Sequence, residues 1–228
     1  MSPGAARRSR SAALPATIMM PSTTSISVMH ADDACIVVDK PAGLLSVPGR
    51  GADKADCLAA RVQAQFADAL VVHRLDMATS GLMLFARGAP AQRALSRAFA
   101  QRETHKRYVA IVSGRVDGDA GEIDLPLAAD WPNRPLQKID HEHGRASLTR
   151  WRVMAREASR TRLELEPVTG RAHQLRVHLR AIGHPIVGDA LYALDDGDAP
   201  RLMLHATSLR FVHPVGANFI GVESPVPF

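Results

Sequence analysis

The sequence predicts an α+β fold built on a large, mixed but mostly antiparallel sheet with flanking helices. Three observations predict it. Apolar segments of strand length outnumber segments with helical periodicity, several follow one another without an intervening helix, and Gly- and Pro-containing turns separate them. No internal repeat is visible.

Taken in order, residues 1–24 are rich in Ser, Ala, Pro and Arg, lack sustained periodicity and read as a disordered basic extension. The same acid-free composition fits an organelle transit peptide, and Met19, Met20 and Met29 offer alternative starts. A single domain is expected over 25–228. Ala34–Asp39 reads as a buried strand because it holds an unbroken apolar run, ended by the turn Lys40-Pro41-Ala42-Gly43. Asp56–Phe66 reads as a helix, with Leu58, Val62 and Phe66 at helical spacing. Ala69–His73 and Gly81–Ala86 read as strands flanking the polar loop Arg74–Ser80. Over Pro90–Arg102 a second helix is expected, with Ala91, Ala94, Leu95, Ala98 and Phe99 as its buried stripe and Arg93, Arg97 and Gln101 beside it. Arg107–Val112, Glu122–Leu127, Ala146–Ala155 and Arg162–Val168 read as strands, where alternating Trp151, Val153 and Ala155 and the pair Leu163 and Leu165 mark half-buried positions. A short helix over Ala172–Ile182 and a late strand over Arg201–Phe211 complete the expectation.

Bulk composition bounds the function. The 228 residues are 46% hydrophobic and 22% charged, the profile of a soluble globular protein. No apolar run approaches the roughly 18 residues of a membrane-spanning helix. The two cysteines, Cys35 and Cys57, form no Cys-x-x-Cys pair, so a reducing, cytoplasmic setting is expected and Cys35 reads as a buried, inert thiol. Of the formal charge of +5, Arg7, Arg8 and Arg10 supply three, so net charge alone says little about nucleic acid. Clustering says more. Between Arg87 and Arg115 lie seven basic residues and one acid, Glu103, a stripe that suits an RNA backbone as well as a solvated face.

The most informative segment is the loop His73-Arg74-Leu75-Asp76-Met77-Ala78-Thr79-Ser80-Gly81. A carboxylate, an arginine and two hydroxyls between apolar strands can serve nucleophilic or acid–base chemistry. Plain turn chemistry, with Asp76 paired to Arg74, explains the same residue types.

Further blocks follow in order: Val38-Asp39-Lys40-Pro41-Ala42-Gly43, Lys106-Arg107-Tyr108-Val109-Ala110, Thr169-Gly170-Arg171-Ala172-His173-Gln174-Leu175-Arg176, Gly183-His184-Pro185-Ile186-Val187-Gly188-Asp189 and Arg201-Leu202-Met203-Leu204-His205-Ala206. Together with the His-Arg-Leu-Asp…Thr-Ser-Gly loop, this series over 31–228 resembles the RluA-type pseudouridine synthases. Gly43–Arg50 and Asp130-Trp131-Pro132-Asn133-Arg134-Pro135 are similar to the branch acting on stem-loops of both 23S ribosomal RNA and tRNA, in its anticodon loop. The resemblance implies the synthase fold with a central active-site cleft and an isomerase that flips a uridine out of folded RNA. It implies that Asp76 is the catalytic carboxylate, attacking base or sugar or abstracting a proton after glycosidic cleavage. Arg176 would pair with Asp76, and Tyr108 would stack on the uracil. Leu204 would wall the site, while His73, Arg74, Thr79, Arg171, Arg93 and Arg97 would contact RNA. No cofactor or metal is implied, and a monomer is expected because the domain looks self-sufficient.

Other readings of the same residues stay open. A non-catalytic RNA-binding protein on the same scaffold, or a hydrolase using Asp76 with His73 or His173, would use much of this set. Among ten histidines, His141, His143, His173 and His178 complete no recognisable zinc spacing. His173 and His205 read as structural residues of the site walls, and Trp131 suits packing and base stacking equally.

Overall fold

In a computed structural model, the protein is described at residues 1, 25–49, 51, 54–193 and 199–228; the expected disordered extension over 1–24 lies outside these residues, Met1 apart. The chain opens with β1 (Ser27–Ala31), β2 (Cys35–Lys40), α1 (Leu58–Gln65), β3 (Ala69–Val71), β4 (Ser80–Arg87) and α2 (Gly88–Ala100). It continues through β5 (His105–Ser113), β6 (Ala120–Asp124), β7 (Leu127–Ala129), β8 (Gln137–Ile139), β9 (Leu148–Arg156), β10 (Arg160–Pro167), α3 (Gln174–Ala181), β11 (Leu204–Val212) and β12 (Phe219–Glu223). Ten strands form one mixed sheet in the order β1-β2-β4-β11-β5-β10-β9-β6, with β12 on β11 and β3 on β4; β7 and β8 make a separate hairpin. The only parallel pairing among the described strands joins β4 to β11, through His205 opposite Ser80 and Ala206 opposite Gly81.

The apolar run of β2 is unbroken because both its faces are covered. Cys35 and Val37 pack with Ala91 and Leu95 of α2, whereas Ile36 and Val38 pack with Leu58 and Val62 of α1. β4 alternates in the same way, Leu82 and Leu84 toward α2, Met83 and Phe85 toward α1. Beyond β11 the sheet is covered on one face, where Leu163 and Leu165 of β10 meet Leu175 and Leu179 of α3.

Several expectations are corrected by particular residues. Ala94 is exposed on α2, and Ala155 is exposed near the end of β9. The expected strand Glu122–Leu127 splits into β6 and β7 around Pro126, which has no N–H to give a ladder. The helix expected from Ala172 begins at Gln174, because His173 sits at φ 53° in the left-handed region and caps it. Strands β1 and β12 were not expected at all.

Candidate active site

The site is built at the seam where β4 and β11 run parallel. The loop leading into β4 is held by the turn after β2. Lys40, fully buried, donates its ammonium to the carbonyls of Pro41 (2.9 Å), Leu44 (2.8 Å) and Met77 (3.0 Å). Burial pushes its pKa down to about 8, helped by Arg201 and opposed by the charges of Asp76 and Asp39. Ser46 accepts from the Leu75 N–H and donates to the Leu75 carbonyl, while the Gly43 N–H donates to Met77 O. Gly81 closes the loop at φ 113°, and a Cβ there would stand 2.3 Å from the Ala206 carbonyl oxygen. Only glycine lets the two strands approach this closely.

This frame presents Asp76 to a cleft of about 450 Å³ in which it is the only carboxylate among the lining residues, facing four cations: Arg74, Arg102, Lys106 and Arg171. Arg176 lies 3.5 Å from Asp76 Oδ2 through Nη1, but its hydrogen bonds go elsewhere. Nε and Nη2 form a bidentate pair with buried Asp189, at 2.8 and 2.6 Å. The sequence expectation that Arg176 pairs with Asp76 is therefore refined: Asp189 holds the guanidinium, and Asp76 receives its field through a looser contact. Burial opposes the charge on Arg176, yet the Asp189 bonds and the charges of Asp189 and Asp76 prevail and raise its pKa. That leaves the lone pairs of Asp76 available to the cleft.

Around this pair, Tyr108 of β5 and Leu204, the first residue of β11, line the cleft. Burial, then the charge of Asp76, pushes the Tyr108 phenol above its usual range, so it stays protonated. Thr79 is buried, and its hydroxyl has no hydrogen-bond partner among the described residues although the residue borders the cleft. Arg74 is exposed at the cleft and makes no ion pair or hydrogen bond among the described residues. Arg171 reaches the Ala146 carbonyl at 3.4 Å. His73 accepts the Leu84 N–H on Nε2 at 2.9 Å and stacks on Phe99 at 4.4 Å. Burial and the charge of Lys106 push its pKa down to about 3. A ring so committed is unavailable as a base for Asp76, which removes the hydrolase reading through His73.

Arg93 and Arg97 do not line the cleft; both are exposed on α2, with no ion pair among the described residues. The seven-residue basic stripe does not form one track. Arg87 and Arg107 are held by Asp68 and Glu164, while Arg102 and Lys106 border the cleft. Trp131 is exposed, with the Arg134 guanidinium 3.5 Å from its ring centre. His205 lies away from this cleft, between Ser80 Oγ and Ser224 Oγ at 2.8 and 3.0 Å. His178 is fully buried between Thr149 and the Leu125 carbonyl. Outside the cleft, His30, Asp32 and Cys35 converge, but Asp32 already caps the Ala34 and Cys35 N–H groups and pairs with His30 and His213, so nothing in the cluster calls for an ion.

The sequence alone did not single out Lys40, Asp189 or Tyr192; His173, read there as a residue of the site wall, does line the cleft. His173 Nε2 stands 3.9 Å from Asp76 Oδ1, and its Nδ1 meets the Tyr192 hydroxyl at 2.7 Å. Lys40, Asp189 and His173 fall within the family-like segments, which say nothing about who meets whom, and Tyr192 falls outside them.

Residues 34–181 match the family described as RNA pseudouridylate synthase. The chain belongs to that family. It is an RNA pseudouridine synthase, an isomerase. The synthase is 53% identical over 196 residues to the dual-specificity RNA pseudouridine synthase RluA of Vibrio vulnificus, covering 82% of this chain and 78% of that one. It is 47% identical over 204 residues to the protein of the same name from Escherichia coli K12, covering 88% and 93%. Its fold matches human RNA pseudouridylate synthase domain containing 1 with a TM-score of 0.76 at 27% identity, covering 92% of this chain and 87% of that one. In human RNA pseudouridylate synthase domain containing 4 the fold is shared at a TM-score of 0.71 and 23% identity, over 88% of each chain. No helix among the described residues is long and apolar enough to cross a membrane.

Proposed function

We propose that the synthase isomerises uridines in stem-loops of both 23S ribosomal RNA and tRNA, there in the anticodon loop, with Asp76 as its catalytic carboxylate. The observation that carries the reading is the cleft itself: one carboxylate facing four cations and a protonated phenol. Phosphates are drawn to the cations, and the carboxylate is reserved for the nucleotide. The reaction breaks a carbon–nitrogen bond, turns the uracil and forms a carbon–carbon bond, so the detached base must be kept from water. Tyr108 and Leu204 provide a flat and an apolar wall for it, and the unpartnered Thr79 hydroxyl offers a hydrogen bond. Arg176, fixed by Asp189, stands beside Asp76 and orients it without occupying it. Exposed Arg74 fills the stack that the flipped uridine leaves, its planar guanidinium suited to that place, and Arg171 holds a neighbouring phosphate. The protein acts as a cytoplasmic monomer without metal or cofactor.

Incubating the protein with unmodified tRNA and ribosomal RNA transcripts and mapping pseudouridine by carbodiimide-stop primer extension tests this. New stops in both RNAs are expected, absent with Asp76→Asn. Stops in one RNA alone would restrict the substrate, and none in either would overturn the proposal.

A further inference from the structure

Tyr192, His173 and Asp76 form a directional chain. The Gln137 N–H donates to the Tyr192 hydroxyl oxygen at 2.8 Å. Among the described residues that hydroxyl has no acceptor other than His173 Nδ1, 2.7 Å away, so its proton is assigned to that nitrogen. A neutral imidazole accepting on Nδ1 carries its proton on Nε2. Burial keeps the ring neutral by lowering its pKa, against the raising charge of Asp76. Tyr192 is itself anchored, since its N–H donates to Asp189 Oδ1, the carboxylate that grips Arg176. His173, at φ 53° ahead of α3, lines the cleft.

The locked Nε2–H therefore faces Asp76 Oδ1 across 3.9 Å, too far for a hydrogen bond between them. A gap with a donor on one side and an acceptor on the other fits a group that accepts and donates through one atom. A hydroxyl does so. Uracil offers none, since its carbonyls only accept and its N–H only donates. Within an RNA strand the 3′ and 5′ oxygens are esterified and the ring oxygen carries no proton, so a nucleotide has one free hydroxyl, at the 2′ position.

We propose that His173 is a further substrate-contacting residue of this reaction, donating Nε2–H to the 2′-hydroxyl of the flipped uridine while that hydroxyl donates to Asp76. Tyr192 is the positioning residue that fixes the tautomer. The proposal rests on Asp76 being the catalytic carboxylate, as read above. The bridge seats the sugar against the carboxylate, and it gives the enzyme a reason to prefer RNA over DNA at the target nucleotide.

The test is a two-by-two cycle on a stem-loop in which the wild-type protein makes pseudouridine, carrying either uridine or 2′-deoxyuridine at the target. Single-turnover rates and affinities are measured for wild type, His173→Ala, His173→Gln and Tyr192→Phe, each checked for a native melting transition. His173→Ala is expected to penalise the uridine RNA about three- to tenfold more than the deoxy RNA, in rate or in affinity. His173→Gln, which keeps an N–H donor of similar reach, restores part of that difference. Tyr192→Phe lowers the rate on the uridine RNA more than on the deoxy RNA, with its fold intact. Equal penalties on both sugars, in rate and affinity alike, would overturn the proposal and leave His173 a phosphate contact or a structural residue. A wild-type protein that makes no pseudouridine in any RNA would instead overturn the functional reading, a separate outcome.

Discussion

The two halves of the sheet bury different numbers of faces, and the active site lies where they meet. On the β2–β4 side, α1 and α2 cover both faces, so successive residues of each strand are apolar. On the β5–β10–β9 side, α3 covers one face and the other carries charge, with Glu164 bridging Arg107 and Arg152. The first half supplies a loop sewn down by Lys40 and Ser46, and that loop carries Asp76. The second supplies Tyr108, Arg176 and His173. The half covered on both faces thus holds the carboxylate proposed to react, and the half open to solvent on one face holds the groups proposed to act around it.

Removing the carboxylate that the first half contributes has the largest expected effect. Asp76→Asn should abolish turnover, by several orders of magnitude, while RNA affinity changes little, because the asparagine keeps the shape and the four cations remain. Single-turnover assays beside filter binding check this; a variant at wild-type rate would move the chemistry to another residue. Next comes the enclosure itself. Phe85 is fully buried on β4 against α1, so Phe85→Ala should cost about 3–5 kcal/mol in denaturant unfolding.

The contrast between the halves explains what the sequence disclosed. An unbroken run such as Cys35-Ile36-Val37-Val38 suits a strand buried on both faces, and as a buried strand it was legible. Alternation at Trp151 and Val153 was legible as a strand covered once. Strands β1 and β12 were not, because their residues are mostly exposed and carry no apolar period. Asp76 was legible because its whole loop is contiguous in sequence. The Asp189–Arg176 and Tyr192–His173 contacts were not, since each depends on how the segment after α3 folds back, which no local pattern encodes.

Acid should expose the join between the halves through His73, which sits in the first and faces Lys106 of the second. Above pH 6.5 the ring is neutral folded or unfolded. Below it, the unfolded chain takes up a proton that the folded ring refuses until about pH 3, so this contribution to stability is present above 6.5 and lost as pH falls through that window. The expected slope from this group is at most about 1.4 kcal/mol per pH unit, and His73→Asn should flatten it. Urea melts between pH 4 and 7 measure both, and an unchanged slope would show that His73 protonates freely in the fold.

Arg93 and Arg97 test how far the RNA path extends over the enclosed half, beyond the cleft. Replacing both with Ala should weaken binding modestly and reduce the salt slope of the binding constant by up to about 2, with the turnover of bound RNA unchanged. An unaltered slope would confine the RNA to the cleft.

The smallest effect is expected where the open half shows its charge. Glu164→Ala leaves Arg107 and Arg152 without their shared partner, but their side chains are 59% and 64% exposed, so water replaces the carboxylate. The loss should stay below about 1 kcal/mol, against the several expected for Phe85→Ala on the other side of the seam. Equilibrium unfolding of the two variants under one set of conditions gives the ratio directly. Comparable losses would mean that the outer face of β10 is covered in the working protein, and that the asymmetry between the halves is not a property of the enzyme at work on RNA.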